Sequence, residues 1–212
     1  MSDNECSEGK STWKERRKKQ LYDELIKTAE RLFGDKEIDE TSVDEIVTET
    51  GIAKGTFYLY FESKSEIIRA VIDAGLNALE ERTARSIAKA PDQAPDALCS
   101  IAREIVSFFL ERPAMVTLLI SRKGISGNQI PTGSGHELKK RYNAATIGVY
   151  ERIIRKGMLQ GHFREIDAHT CASAIACMLS GLICDALDTG KSSVNTAEEA
   201  LNMFIRGIAR RG

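Results

Sequence analysis

The chain has 212 residues, 30 Lys and Arg against 31 Asp and Glu, and a formal net charge of −1. Its 42% hydrophobic and 29% charged content excludes wholesale disorder, and at about 100–200 residues per domain the length allows one domain or two small ones. Five irregularly spaced cysteines (Cys6, Cys99, Cys171, Cys177, Cys184) and a polar, acidic start without a leader pattern speak against a disulfide framework; they predict buried thiols in a cytoplasmic protein.

Residues 1–10 are expected as a disordered tail. Across residues 10–19, Lys10, Lys14, Arg16, Arg17, Lys18 and Lys19 outweigh Glu15 for a net +5, with Trp13 among them. This is either the solvated start of the first helix or an arm that reaches phosphate or the minor groove. Leu21, Leu25, Ala29 and Leu32 then repeat at helical spacing. The acidic stretch 34–50 carries a net −6, so the overall neutrality is a sum over unlike segments and does not exclude DNA.

Ser42 with Glu45 forms a capping-box pattern, so a helix can begin there with Ile46 and Val47 as its buried face. Thr50-Gly51 ends it, since glycine takes positive φ without steric cost. Ile52 plugs the corner, and a second short helix follows from about Lys54 to Tyr60, with Phe57 and Phe61 facing inward. Ser63 with Glu66 repeats the capping pattern and starts a helix to about Ala90, roughly 40 Å long. Further stripes run through Leu98–Phe108, Leu138–Ile153 and Ala197–Ile208, residues 123–135 form a Gly-rich loop, and no segment alternates at period two. The predicted fold class is all-α.

Two short helices joined by a glycine turn make a helix-turn-helix. Lys54, Gly55 and Thr56 stand at the N-terminus of the second helix, the end that approaches base edges in a major groove. Lysine bonds guanine or phosphate, the Thr methyl meets a thymine methyl, and Gly55 lets the backbone come close. Tyr58 and Tyr60 can donate to phosphate oxygens, and Lys64 can add a phosphate contact in the first turn of the next helix.

Residues 51–61, GIAKGTFYLYF, followed by ESKSEII, resemble the signature of the TetR/AcrR family of bacterial transcriptional regulators. The likeness is strong over about residues 20–72, and GHFREIDA at 161–168 is similar to a recurrent family pattern. The resemblance implies a homodimer with a helix-turn-helix DNA-binding head (11–62) and a long fourth helix leading into a helical effector-binding and dimerisation body (63–212). The family's DNA-contact positions map onto Thr41, Ser42, Lys54, Gly55, Thr56, Tyr58, Tyr60 and Lys64. Ala53 stands where the family often has a serine, and alanine cannot cap the recognition helix through its side chain.

The body holds no recognisable catalytic constellation, so the chain is not expected to be an enzyme. His162, His169 and Cys171 match no tight metal template, and neither metal nor cofactor is expected. Apolar volume with a few polar handles suits a small-molecule pocket. With the resemblance, Phe108, Phe109, Met115, Leu119, Tyr142, Tyr150 and Met178 become candidate lining for an apolar or amphipathic effector of unknown identity. Residues 168–188 are apolar on two sides, which requires partners on two sides. The dimer surface is expected over residues 168–188 and 196–209, with Ala172, Ala176, Ser180, Ile183 and Leu187 on one face of the first and Cys171, Ile175, Met178 and Leu182 opposite. The uncharged run Ala168–Cys184 is short for a membrane span and lacks flanking Lys or Arg, so no membrane is expected. The resulting expectation is a ligand-responsive repressor on a palindromic double-stranded DNA operator. The alternatives are a helical enzyme or carrier with a structural helix-turn-helix, and a helix-turn-helix protein answering to a protein partner.

Overall fold

The computed structural model describes the backbone of residues 3–120 and 134–210 and the side chains of 13–120 and 136–210. The expected loop at 123–135 lies outside the described residues up to 133. Among the described residues every regular element is helical, apart from an isolated bridge between Phe163 and Ala209.

Helix α1 runs from Asp3 to Asp35. The tail expected over 1–10 is instead helical from residue 3: the segment holds no proline and runs unbroken into the helix that follows it. The C-terminal half of α1 buries Leu25, Ala29, Leu32 and Phe33. A 3-10 turn, Ile38–Glu40, leads to α2 (Val43–Thr50) and α3 (Lys54–Phe57). The Ser42 hydroxyl accepts the Glu45 N–H, and Gly51 closes α2 at φ 71°, where a side chain would be strained. α3 stops at Phe57, three residues short of the expected Tyr60. Leu59 and Tyr60 donate their N–H groups to the Thr56 and Phe57 carbonyls, tightening the chain into i,i+3 turns.

Helix α4 (Lys64–Lys89) is capped by Ser63, which accepts the Glu66 N–H. The body follows as α5 (Ala94–Glu111), α6 (Pro113–Met115), a π turn (Val116–Ile120), α7 (Ser134–Ala145), α8 (Ile147–Leu159), α9 (Ala168–Thr189) and α10 (Val194–Ile208). α5 is its centre, packed against α4, α8, α9 and α10. The 161–168 motif has structural work to do. Gly161 turns at φ 75°, Phe163 is buried against Gly157, and Asp167 caps α9 by accepting the Thr170 N–H at 2.6 Å.

The head is joined to the body where α1 packs on α6. Gly34 lets Ala114 approach closely there. α9 is long and apolar enough to cross a membrane by length and composition, with a mean hydropathy of 1.7. Its buried stripe is Ala168, Ala172, Ile175, Leu179 and Ile183. Ala172 and Ile183, expected at a dimer surface, therefore face the bundle together with Ile175, whereas Gly181 and Leu187 are exposed. The four described cysteines are free, but none is buried, contrary to expectation.

Candidate nucleic-acid interface and effector cavity

The head presents the recognition segment on an aromatic base. Phe57 and Phe61 are buried with ring centroids 5.6 Å apart, and Tyr22 stacks on Phe61 at 5.2 Å. On this base Lys54 and Gly55 are exposed at the start of α3, Thr56 is half-buried, and Tyr58 is half-exposed. Tyr60 turns partly inward and packs on the core. Ala53 offers α3 no side-chain cap, which leaves the first N–H groups of this short helix without that partner.

Three of the mapped positions depart from a simple contact role. Thr41 is buried at 1% exposure, and its hydroxyl donates to the Glu37 carbonyl; it shapes the entry to α2 and does not present itself to a duplex. Lys64 is half-buried and donates its ammonium to the Ile38 carbonyl, and burial pushes its pKa down. It ties α4 to the 3-10 turn. Lys54 is exposed but salt-bridged to Asp44, Nζ to Oδ1 at 2.7 Å, and that carboxylate pushes its pKa up. Ser42, also mapped as a DNA contact, is exposed and serves as the α2 cap. The acids of α2 are similarly engaged elsewhere: Glu45 binds Lys36 at 2.5 Å and Glu49 binds Arg31 at 2.5 Å.

Sequence reasoning passed over Leu59, which is 78% exposed. Its signal is a large apolar side chain between two tyrosines, just after the helix has ended. Leu59 and Tyr60 line one wall of a groove whose other wall carries Trp13, Lys14, Arg17 and Lys18 from α1. The Arg17 guanidinium lies 5.4 Å from the Trp13 ring centroid. The basic segment is thus a helical wall beside the recognition segment.

In the body, Phe109, Tyr142 and Tyr150 meet at a small cavity of about 10 Å³, closed also by Thr146, Leu179 and Ser180. That is room for about one water and far below the roughly 300–1,000 Å³ of an open ligand pocket. Tyr150 is buried and its hydroxyl finds no hydrogen-bond partner. Such an orphan costs about 1–3 kcal/mol. Burial pushes both tyrosine pKa values up, opposed at Tyr142 by a hydrogen bond with Ser180.

Four expected lining residues lie elsewhere. Phe108 directly precedes Phe109, so it points about 100° around the helix, where Arg112 covers it at 5.2 Å. Met115 is buried under Gly75 of α4. Leu119 sits in the π turn, and Met178 is on the half-exposed flank of α9. Among the described residues no three His, Cys, Asp or Glu side chains could hold a metal; His162 is engaged with Gln160 and His169 with Glu151.

Residues 25–71 match the family model described as bacterial regulatory proteins, tetR family. The helix-turn-helix head is therefore that of the TetR family. The chain is 25% identical over 197 residues to the HTH-type regulator YfiR of Bacillus subtilis, covering 87% of this chain and 90% of that one. Its fold matches the TetR-family regulator PfmR of Thermus thermophilus with a TM-score of 0.69 at 23% identity, covering 88% of this chain and 99% of that one. It also matches FadR of Bacillus subtilis, solved with stearoyl-CoA, with a TM-score of 0.74 at 17% identity and the same coverage. The matched segment ends inside α4, so it contains the whole recognition element but none of the cavity. Regulators of this family typically pair a DNA-binding head with a ligand-binding body, and the proteins matched here are transcriptional regulators, not enzymes.

Proposed function

We propose that this TetR-family regulator is a cytoplasmic homodimeric repressor that binds a palindromic operator and is released by a small apolar or amphipathic effector. The observation that carries the reading is the arrangement of the two sites. A recognition segment (exposed Lys54, Gly55 and Tyr58 with half-buried Thr56) is mounted on a head whose first helix is fastened to the end of α5, and α5 also walls the body cavity through Phe109. A ligand that spreads the cavity therefore acts on the element that positions the head. It shifts the equilibrium only through a higher affinity for the released geometry.

Lys54 and the Tyr58 and Tyr60 hydroxyls supply the direct contacts, and Lys14, Arg17 and Lys18 of α1 add phosphate contacts along the groove beside Leu59. The outer side of α9, with exposed Gly181 and Leu187, supports a second copy as its cover. Two heads related by a twofold axis read half-sites about one helical turn or a multiple apart. That FadR was solved with stearoyl-CoA supports effector binding in a body of this fold.

Anisotropy titration of a duplex carrying the inverted repeat beside the regulator's own gene, at several salt concentrations, tests the DNA reading. Specific, salt-dependent binding is expected; equal affinity for an unrelated duplex rejects it. Light scattering is expected to return a dimer at micromolar concentration, and a monomer rejects the homodimer.

A further inference from the structure

The body cavity has a chemistry of its own. Its described walls carry no charged side chain: they are Ile105 and Phe109 of α5, Tyr142 and Thr146 at the α7–α8 junction, Tyr150 of α8, and a strip of α9 that includes Leu179 and Ser180. A carboxylate or ammonium placed here would be stripped of water with no counter-charge, the costliest outcome for any ion. The lining therefore offers no partner for an ionic group at this spot.

The polar groups narrow the choice further. The Thr146 hydroxyl is already spent on the Tyr142 carbonyl at 2.8 Å. The Tyr142 phenol is engaged with Ser180. The Tyr150 hydroxyl is the exception: it is fully buried, borders the cavity and has no partner. A phenol is first of all a donor, so what the wall lacks is one acceptor.

Thr146 breaks the line between α7 and α8 with φ −119° and ψ −80°. Tyr142, Ala176 and Ser180 are only half-buried there, so this junction is the side of the cavity nearest to solvent.

We infer that the effector of this regulator is a neutral, aromatic or compact apolar molecule with a single hydrogen-bond acceptor, a ketone or ester type of oxygen, which takes the Tyr150 hydroxyl as donor and stacks against Phe109 and Tyr142. The inference rests on the reading of the body as an effector domain. It goes beyond that reading in naming the residue that selects the ligand and the charge the ligand must not carry. Entry of such a molecule widens the α7–α8 junction and moves the Phe109 side of α5.

Three probes of similar size separate the terms: acetophenone carries the acceptor, ethylbenzene lacks it, and benzoate carries a negative charge. Calorimetric titration of the full chain is expected to rank acetophenone at least tenfold tighter than ethylbenzene, with benzoate weakest. In Tyr150→Phe, acetophenone is expected to fall to the level of ethylbenzene while ethylbenzene is unchanged. Because the substitution removes an orphan hydroxyl, the variant without probe is expected to melt at or above the wild-type temperature. A preference for acetophenone that survives in Tyr150→Phe, a lead for benzoate, or no binding of any probe overturns the inference. A lower melting temperature for the variant also counts against it, since it means the hydroxyl is already partnered. The proposed function fails separately, on a wild-type chain that does not discriminate its operator duplex.

Discussion

Arg112, just beyond α5, holds Glu30 of α1 through two parallel hydrogen bonds, Nε to Oε1 at 2.6 Å and Nη2 to Oε2 at 2.5 Å, with both side chains mostly shielded from water. The guanidinium also lies over the Phe108 ring. Phe108 meets Phe109 edge-on at 5.3 Å, and Phe109 meets Tyr142 at 6.1 Å across the cavity wall. A packed chain of side chains thus joins the cavity to the first helix of the head. Bidentate geometry fixes orientation as well as distance, so a shift of α5 is expected to reach α1 through this pair.

Arg112→Ala should therefore do two things. Leaving Glu30 without its charged donor costs about 2 kcal/mol, by the usual scale of hydrogen bonds to charged groups, and lowers the melting temperature by roughly 4–8 °C for a chain of this size. It should also shrink the change in operator affinity that a bound effector produces. Thermal melts and paired anisotropy titrations with and without effector check both. Loss of stability with undiminished effector response would mean that the pair is structural only.

The second prediction concerns the Lys54–Asp44 pair, which opposes DNA binding because Asp44 occupies the very cation that phosphate or guanine would take. Asp44→Asn removes the competitor and a negative charge from the interface, so operator binding should tighten several-fold. Lys54→Ala should weaken binding and, if the contact is to phosphate, reduce the slope of log affinity against log salt by about 0.9. Anisotropy titrations across a salt series measure both. Equal affinity in Asp44→Asn and wild type would place Lys54 away from the duplex.

Much of this architecture is legible in the sequence because it depends on local rules. The two Ser/Glu capping patterns, Gly51 and the helical stripes each act over a few residues, and the caps and the glycine turn form where the spacing puts them. The departures come from tertiary partners. Lys64 reads as a free cation until the Ile38 carbonyl is folded against it, and Thr41 reads as exposed until the 3-10 turn buries it. The cavity was half legible: Phe109, Tyr142 and Tyr150 converge on it, but Phe108, Met115, Leu119 and Met178 are equally apolar in sequence and point elsewhere. Composition cannot distinguish them, because the direction of each side chain is set by the packing of α4, α5 and α9.

Acid stability supplies a third prediction. Arg82 donates to both oxygens of Glu111, at 2.7 and 3.0 Å, and to Glu104 at 3.0 Å. Together with a Ser107 hydrogen bond, Arg82 holds the Glu111 carboxyl down to about 2. In the unfolded chain this group titrates near 4.3. Between those values the unfolded state binds more protons, so the contribution is complete above about pH 4.3 and is lost as pH falls through the folded value. Glu111 is more than half exposed, so screening limits the effect to about 1 kcal/mol or less. Urea midpoints at pH 5 and pH 3 should fall further in wild type than in Glu111→Gln. Parallel falls would show that the pair adds nothing to stability.

The last prediction tests the packing that seats α9. A Cβ added to Gly157 would lie 2.3 Å from Phe163 Cδ2 and 2.9 Å from Ala94 Cβ. Both neighbours are buried, and the backbone at Phe163 is held by the antiparallel bridge to Ala209. Alanine gains about 1 kcal/mol of helix propensity over glycine. Overpacking a rigid ring against backbone costs about 1–3 kcal/mol, so Gly157→Ala should be destabilising on balance. At Gly148, also in α8, the nearest atom to an added Cβ is 3.7 Å away. There the propensity gain stands alone, and Gly148→Ala should stabilise by up to about 1 kcal/mol. Thermal melts of the two variants should move in opposite directions; a rise in both would mean that Phe163 repacks freely and does not fix the turn before α9.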